Sequence, residues 1–494
     1  MIGKTENQFS LTQVSPSRRG AQNQISVSNT SLLLLLALVV LAAIPRIVAT
    51  HNDLWLDEIV SVQKVRTLAS PWEIFTSIHR DNNHHLNSLY LYLVRNTSYD
   101  PTFRYFSVLC GVLTVLAGYW TVFPRGKRTA LLFATLLACS YPLIHFSSEA
   151  RGYSAMILGS VVALGSALRW MEKPSIAMEL LYGVAISFAL LSHLTVCLVW
   201  GSLAVGMLLS ALIQNNRRTG LLRLTAMNLL PLTVLLFLYF EDLRHMQALS
   251  GPSMSLVHGL YRMTALSVGW PFKDDISAIA ISVLLLVLII REVWRRRSNG
   301  DSLVLLLVML TPIGCALTLR SSFFVPRYFL FTVPFLYFGL ALLLDNLSAV
   351  RFGKFIVPAL IAFFLIGQSF LYGSFLKIGR GQIATALRML KAAETPNPNV
   401  SITSNQDFRG SVECRYFQDG VPGKKILYLV SSELGNITPD WFVIHREGYQ
   451  PPGPPQFVLL GTTWYRAGYF GASELSGQAW TVYSAHRVNL GTQP

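Results

Sequence analysis

Residues 31–59 read SLLLLLALVVLAAIPRIVATHNDLWLDEI, an apolar run followed by an acidic pair. About 20 consecutive, mostly apolar residues can cross the hydrocarbon core of a bilayer as an α-helix, and residues 31–50 satisfy that length. The polar leader before this run is longer than the charged start of a signal peptide. We therefore expect a retained first span, with cleavage near Ala49 as the alternative. The stretch predicts a membrane protein whose first loop opens with Asp57-Glu58.

The composition of the whole chain points to the same class. Of its 494 residues, 52% are hydrophobic and only 13% are charged, and the mean hydropathy is +0.45. Soluble domains carry about 25% charged residues, and half that fraction cannot cover the surface of a soluble globule. A soluble multidomain enzyme is therefore excluded, and a polytopic α-helical membrane protein is predicted.

Measured against the length of a spanning helix, the chain contains about 11 candidate transmembrane helices. They lie at 31–50, 103–123, 129–146, 154–170, 176–192, 194–213, 224–240, 275–291, 302–319, 328–345 and 355–374.

The distribution of positive charge predicts the orientation of these spans. Lys and Arg concentrate in alternate connections and in the N-terminal tail, and such connections face the cytoplasm. The long connections 51–102 and 241–274, and everything after 375, then lie on the outer side. Most of the formal net charge of +15 is explained by topology, and no nucleic-acid partner is expected. The basic positions are Lys4, Arg18, Arg19, Arg125, Lys127, Arg128, Arg169, Lys173, Arg217, Arg218, Arg223, Arg291, Arg295, Arg296, Arg297, Arg351 and Lys354.

Two domains are predicted: a multi-span membrane domain over 1–374 and an external domain over 375–494. The second part is polar, and turn-rich segments separate its short apolar runs. We expect a small α/β or α+β domain. The runs are Val400–Thr403, Ile426–Val430, Trp441–Ile444, Phe457–Leu460 and Ala479–Tyr483.

The first outer loop is predicted to contain two interfacial helices. Apolar residues recur at helical spacing from Ile59 to Leu68, which is typical of a helix lying in the membrane interface. Ser70–Glu73 has the pattern of a capping box with proline at the first helical position, so a second short helix begins there. Two such helices fold the loop back, so that its acidic start approaches the polar segment Asp81–His85.

This loop supplies the candidate catalytic residues Asp57, Glu58, Asp81, His84 and His85. A carboxylate can remove a proton from an acceptor hydroxyl while a phosphate leaves, and an imidazole can orient it or donate to the departing group. A solvated helix end and ordinary interface histidines are the alternative interpretation. No metal site is expected because adjacent histidines rarely reach one ion, and a divalent ion stays a minor option.

Two further clusters lie at predicted outer span ends. In the turn Ser147–Tyr153, Arg151 could hold a phosphate oxygen, Tyr153 could add a hydroxyl, and Glu149 could orient the guanidinium group. A structural ion pair is the alternative. Arg327-Tyr328 begins a late span with no acid nearby, which favours a phosphate partner over a snorkelling arginine. His193 sits at another such turn and receives little weight.

Nucleotide-binding loops are missing from the sequence. It contains no G-x-G-x-x-G, and Gly3-Lys4-Thr5 lacks the upstream glycine of a P-loop. An activated substrate, if the protein uses one, more plausibly arrives through the membrane.

The order of these motifs resembles the GT-C superfamily of polytopic glycosyltransferases, in particular its protein-mannosyltransferase-like and ArnT/RgtA-like branch. The features that carry the resemblance are the pair Asp57-Glu58, the stretch from Asp81 to Tyr90, the turn Ser147–Tyr153, and Arg327-Tyr328 before Thr332-Val333-Pro334. The family often has prolines where this chain has His84-His85-Leu86-Asn87, which leaves the histidine roles and the acceptor class open.

The resemblance implies an inverting transfer of a sugar from a polyprenyl-phosphate donor to a glycan, lipid or protein acceptor at the outer face. Asp57 would be the catalytic carboxylate and Glu58 its support, while Arg151, Tyr153 and Arg327 would lie near the carrier phosphate. The membrane would be the inner or plasma membrane, or the endoplasmic reticulum in a eukaryote. A transporter or lipid flippase is the runner-up, and a structural assembly component is a third possibility.

Overall fold

The computed structural model describes residues 29–213, 216–246, 255–296, 304–311, 314, 326–393, 398–433, 437–448 and 450–485. The basic N-terminal residues Lys4, Arg18 and Arg19, as well as Arg297 and part of the predicted span 302–319, lie outside these residues.

Helices dominate the first three quarters of the chain. In chain order the α-helices of the described residues are α1 (Asn29–Val48), α2 (Leu56–Arg66), α3 (Glu73–Thr76), α4 (His85–Leu93), α5 (Tyr105–Val122), α6 (Lys127–Cys139), α7 (Tyr141–Ser147), α8 (Tyr153–Glu172), α9 (Ile176–Ser192), α10 (Val196–Ile213), α11 (Arg217–Glu241), α12 (Leu256–Ser267), α13 (Asp275–Arg295), α14 (304–311), α15 (Val333–Ser348), α16 (Gly353–Ile378), α17 (Ile383–Ala392) and α18 (Asp407–Phe417).

Multiple helices are long and apolar enough to cross a membrane. Within the described residues there are eight such stretches, or up to nine if the bent pair α6–α7 is one span. Each predicted span other than 302–319 coincides with a helix or, for 129–146, with the two helices α6 and α7. The count differs from the predicted 11 because α9 has only 17 residues, 129–146 is broken, and 302–319 is described only in part.

The broken span α6–α7 bends by 57°. Pro142 in the first turn of α7 has no N–H to continue the hydrogen-bond ladder, and the Ser140 side chain caps the new helix. From α1, Arg46 donates hydrogen bonds to the carbonyls of Leu137 and Ala138 at 3.1 and 3.0 Å. The last carbonyls of a helix carry partial negative charge, so this buried guanidinium group stabilises the break.

The two ends of the helical bundle differ in charge and in the elements that cover them. At the basic end, Arg125 pairs with Glu172 at 2.9 Å, and Arg223 pairs with Glu179 at 3.3 Å. The opposite end, which we call the site end, carries α2–α4, the turn 148–152 and the C-terminal domain. The candidate site residues from all three sequence clusters lie at the site end.

The C-terminal domain is a mixed six-stranded sheet with two helices. Its strand order is β2-β1-β3-β6-β5-β4, in which β2, β1 and β3 are parallel and the remaining neighbours are antiparallel. Five strands coincide with the predicted apolar runs, whereas β5 and α18 were not predicted. The strands are β1 (Asn399–Ser404), β2 (Lys425–Tyr428), β3 (Trp441–Glu447), β4 (Gln456–Leu459), β5 (Thr462–Phe470) and β6 (Gln478–Ser484).

Helix α2 forms as predicted, but its apolar face is not in the membrane interface. Ile59, Val62 and Val65 are buried in one cluster with Leu387 of α17 and Val400 of β1. The C-terminal domain therefore covers the face that the sequence assigned to lipid. Only one of the two hydrogen bonds of the predicted capping box is formed. The Glu73 carboxylate accepts from the Ser70 N–H at 3.0 Å, but no side-chain hydrogen bond caps α3.

A loop between β5 and β6 inserts into the site end of the bundle. Its Ser473 side chain lies 3.0 Å from the Tyr141 hydroxyl, and its Ser476 side chain lies 2.6 Å from His145 Nε2. Glu474 accepts two hydrogen bonds from the Arg262 guanidinium group at 2.7 and 2.8 Å. This segment, residues 471–477, joins the sheet to α7 and α12 directly.

Candidate active site

The start of α2 separates the acidic pair into two environments. Asp57 and Glu58 lie in the first helical turn after Trp55, and successive side chains on an α-helix point about 100° apart. The Glu58 side chain is fully buried, whereas the Asp57 side chain is 24% exposed. The exposed member of the pair is therefore the one that a substrate can reach.

Glu58 is held by Arg104, an arginine without a local signal in the sequence. Arg104 donates to both carboxylate oxygens at 2.8 and 2.6 Å, and the Ala150 N–H donates at 2.7 Å. Burial alone would raise the pKa of Glu58, but the charge and hydrogen bonds of Arg104 hold it below the usual range. Glu58 thus fixes the start of α2 against the turn 148–152.

Asp57 contacts the first of two arginines in the site. Its carboxylate accepts a hydrogen bond from Nη1 of Arg151, whose Nε–H donates to His84 Nε2 at 3.2 Å. The remaining ring nitrogen of His84 lies 3.1 Å from the Ser192 carbonyl, so Nδ1 carries the proton and the imidazole is neutral. Burial, together with the charge of Arg151, lowers the pKa of His84 well below its ordinary value.

Both arginines of the site lie against one indole ring. The Arg151 and Arg327 guanidinium carbons are 5.7 and 5.4 Å from the ring centroid of Trp55, which is itself buried. Arg151 also lies 5.4 Å from the ring of Tyr153, and Arg327 lies 5.9 Å from the ring of Tyr328. Aromatic faces favour nearby cations, and they hold the two positive groups close together.

Two buried polar groups of this cluster lack partners. Among the described residues, neither the Tyr153 hydroxyl nor Arg327 Nε has a hydrogen-bond partner, and no ion pair involves Arg327. A buried polar group without a partner is costly. With Asp57 already bound to Arg151, the cluster has an excess positive charge that an anion would satisfy.

Asp81 and His85 lie beside this cluster on the segment that precedes α4. The Asp81 side chain is exposed, yet partial desolvation and the nearby charge of Asp57 raise the pKa of its carboxyl. His85 Nε2 lies 2.9 Å from the carboxylate of Asp242, and the His85 ring stacks on Phe75 at 5.1 Å. His85 therefore contacts the end of α11 and not Asp57.

Glu149 does not orient Arg151, contrary to the sequence prediction. Its carboxylate accepts from Trp55 Nε1 at 2.7 Å and from Ser476 Oγ at 3.3 Å, and it lies 3.9 Å from Arg380 Nε. Burial raises the pKa of Glu149, although Arg380 opposes the rise. Trp55 and the C-terminal domain supply the donors of Glu149, and no hydrogen bond between its side chain and that of Arg151 occurs among the described residues.

Several residues of the site were missed or given little weight. His193, which stacks on the His84 ring at 4.9 Å, has its pKa lowered to about 3, chiefly by burial. Trp55, Arg104 and Asp242 were not singled out either. Only Trp55 carried a local signal, because it directly precedes the acidic pair. No group of three or more His, Cys, Asp or Glu side chains that could hold a metal ion occurs within the described ranges.

The architecture of this bundle and its covering domain is shared with solved structures of two other proteins. The structure is similar to ArnT from Cupriavidus metallidurans in the apo state, with a TM-score of 0.55 and 11% identity over 95% of this chain and 100% of that one. The same enzyme bound to undecaprenyl phosphate gives a TM-score of 0.52 at 12% identity, with the same coverage.

A third similar structure is the archaeal oligosaccharyltransferase AglB from Archaeoglobus fulgidus, in complex with an inhibitory peptide and a dolichol-phosphate. Its TM-score is 0.50 at 13% identity, over 84% of this chain and 69% of that one. No protein-family model matches the sequence, and no curated protein matches it either. At identities this low, the structural similarity establishes the fold alone, and this fold agrees with the resemblance found in the sequence.

Proposed function

We propose that the protein is a glycosyltransferase that moves a sugar from a polyprenyl-phosphate donor to an acceptor. The observation that carries this proposal is the unpartnered pair Arg327 and Tyr153 beside Asp57 and Arg151. A phosphate diester needs cationic and hydroxyl donors, and a transferred sugar needs a carboxylate within reach of the acceptor. The site offers both on adjacent side chains. The similar structures with undecaprenyl phosphate and dolichol-phosphate support this donor class.

In the proposed reaction the acceptor oxygen attacks the anomeric carbon from the face opposite the phosphate. Asp57 takes the hydroxyl proton, the bond between the anomeric carbon and the phosphate oxygen breaks, and its electron pair leaves with the phosphate. Arg327, Tyr153 and Tyr328 bind that phosphate, and Arg151 holds Asp57 in place. The attack inverts the anomeric configuration.

The remaining predicted site residues have supporting parts in this proposal. Glu58 fixes the first turn of α2 through Arg104, and His84 fixes Arg151 through its own hydrogen bond. Asp81 is a second carboxylate near Asp57, and Glu149 holds Trp55 under the two arginines. His85 acts at a distance from Asp57, through Asp242.

We place the reaction at the outer face of an inner, plasma or endoplasmic reticulum membrane. The basic end of the bundle carries arginines of the connections that the positive-inside rule assigns to the cytoplasm, and the site lies at the opposite end. Within the described residues, the acids and arginines of the site gather at that one end. This favours chemistry there over passage of a substrate through the bundle, as a transporter would require.

The decisive experiment assays purified protein against a panel of polyprenyl-phosphate sugars and compares Asp57→Asn with the unmodified chain. We expect the substitution to abolish transfer while expression and membrane insertion are unchanged, because it removes the proton acceptor but keeps the side-chain shape. Asp419→Asn, at an exposed position of the C-terminal domain, is the matched control and should retain full activity. Full activity of Asp57→Asn would reject the assignment of the catalytic carboxylate.

A further inference from the structure

One carboxylate joins both ends of the segment that carries Asp81. Asp242 directly follows α11 and has a side chain only 2% exposed. Its Oδ1 lies 3.0 Å from His79 Nδ1, and its Oδ2 lies 2.9 Å from His85 Nε2. Residues 79–85 therefore form a closed loop, which we call the clamped loop, whose two ends bind the same carboxylate from the segment after α11.

The clamped loop also contacts the site between its two ends. Asn82 donates to the Asp57 carbonyl at 3.0 Å, and His84 accepts from Arg151 at 3.2 Å. A displacement of the loop would therefore move the backbone of Asp57 and the partner of Arg151 together. Asp242 touches neither residue itself and acts on both through the loop.

The clamped loop forms one wall of a cleft that opens to solvent. This wall is polar and includes Arg80, Asp81 and His84. A second wall comes from the end of α9 and from the segments that follow α9 and α11, and it mixes apolar residues with Ser192, His193 and Asp242. Its apolar residues are Leu190, Leu191, Leu194, Leu243 and Met246.

The charges of the cleft favour a hydroxyl-bearing ligand over a phosphate. Asp81 and Asp242 both line it, and each would repel a phosphate group. Among the described residues, no other side chain makes a hydrogen bond or an ion pair with Arg80 or Asp81, and only the backbone N–H of Asn82 donates to the Asp81 carboxylate. Both side chains can therefore bind hydroxyl groups, Arg80 as a donor and Asp81 as an acceptor. The unpartnered Arg327 belongs to the Trp55 cluster and does not line this cleft.

We propose that this cleft binds the acceptor, and that the acceptor is amphipathic. Its hydroxyl-bearing part lies on Arg80 and Asp81, and its apolar part lies on the leucine wall at the helix ends. Asp242 is a positioning residue, since it holds the polar wall beside Asp57 without touching the acceptor's reacting oxygen. This inference rests on the proposed sugar transfer for the identity of the ligand as acceptor, while the binding itself can be measured alone.

The test uses a photoreactive decyl glucoside, with a diazirine in its alkyl chain, and the full-length protein in lipid nanodiscs. We expect the label at 190–194 and 243–246, and we expect excess decyl glucoside to compete far better than free glucose. Equal competition by glucose would overturn the amphipathic class. Phe363 of α16, which is 51% exposed, is the reference for labelling from the lipid. If the two segments are labelled no more strongly than Phe363, the assignment of the cleft as a binding site is overturned.

Variants of Asp242 test its positioning role. We expect Asp242→Ala to lower the specific labelling about tenfold, as expected for loss of hydrogen bonds to a charged group. Asp242→Asn should recover part of it, because one acceptor oxygen remains for a histidine. Asp274→Asn, which alters an acid at the start of α13 outside the cleft, should label normally. Unchanged labelling of Asp242→Ala would overturn the role.

A parallel measurement of undecaprenyl phosphate binding separates this inference from the proposed function. We expect the unmodified protein and Asp242→Ala to bind it within about twofold of each other, a difference of under 0.5 kcal/mol. A large loss in the variant would place Asp242 on the donor side and overturn the inference. Absence of binding by the unmodified protein would instead contradict the proposed donor, whatever the glucoside labels.

Discussion

At the scale of single residues, the net positive charge of the Trp55 cluster comes from Arg327, which has no acidic partner among the described residues. Arg151 is matched by Asp57, and Arg104 by Glu58. Arg327 lies against the same indole as Arg151, and no ion pair involves it within the described ranges. Two cations against one ring repel each other. Binding of an anion between them would relieve this repulsion and stabilise the cluster.

We expect Arg327→Gln to raise the KM for a polyprenyl-phosphate donor by about tenfold or more, since a charged hydrogen bond contributes roughly 1.5–3 kcal/mol. Arg327→Lys should recover part of the loss, because it keeps the charge but not the planar fork. Steady-state kinetics with donor and acceptor varied separately provide the measurement. Arg128→Gln, exposed at the basic end, should behave as the unmodified chain. A larger effect on the acceptor than on the donor would contradict the phosphate assignment.

A second prediction at this scale concerns Asp81, whose pKa is raised by partial desolvation and by Asp57. The folded state then holds the Asp81 proton more tightly than the unfolded state, so ionisation lowers stability as the pH rises through the raised pKa. Asp81→Asn should therefore raise the Tm at neutral pH, with a gain that shrinks as the pH falls towards about 3.9, the ordinary value for Asp. Thermal unfolding at several pH values tests this, and a gain that grows on acidification would refute it.

At the scale of elements, α2 is a helix shared by two domains. Its first turn carries Asp57 and Glu58, and its apolar face packs on the C-terminal domain through Ile59, Val62 and Val65. The periodicity that predicted the helix was correct, but periodicity does not say whether lipid or protein covers the apolar face. Because α2 is fixed on both sides, the position of Asp57 depends on the packing of the whole domain.

This packing predicts opposite outcomes for two lysine substitutions in the first loop. Val62→Lys should destabilise the protein by several kcal/mol, because a charge is buried without a partner. Leu93→Lys, at a position that is 76% exposed, should be neutral. A helix lying in the membrane interface would tolerate both, since lysine can extend to the headgroups. Thermal unfolding of the two variants in one detergent distinguishes the arrangements.

At the scale of the whole molecule, the C-terminal domain forms part of the site. Segment 471–477 brings Ser476 to Glu149, which in turn holds Trp55 under the two arginines. Glu474 of the same segment makes a bidentate pair with Arg262 of α12. The sheet is therefore connected to the cluster around Trp55 through hydrogen bonds, and removing it would leave Glu149 without one of its donors.

We expect Glu474→Gln to lower the stability by roughly 1–2 kcal/mol, because it leaves the Arg262 guanidinium group without a charged partner. Transfer should also slow as the segment loosens around Glu149. Limited proteolysis of the β5–β6 connection, together with thermal unfolding, measures the effect, and Asp419→Asn again provides a control. Unchanged protease resistance and unchanged Tm would show that the segment is held by other contacts.

The sequence alone determined the features that depend on composition and local periodicity. A spanning helix needs only a sufficient apolar length, and ten of the predicted spans coincide with helices. The order of the polar clusters along the chain identified the fold. Five strands of the C-terminal sheet were likewise visible as short apolar runs.

The packing of distant elements determined which polar groups meet. Arg104 and Asp242 gave no local signal, yet they bind Glu58 and His85 across 46 and 157 positions of the chain. The Glu149 carboxylate accepts hydrogen bonds from Trp55 and Ser476, and not from the side chain of Arg151, which is nearby in sequence. The partner of a buried charge is whichever group the packing of distant helices brings within hydrogen-bond reach, and that distance is not encoded in any short stretch of sequence.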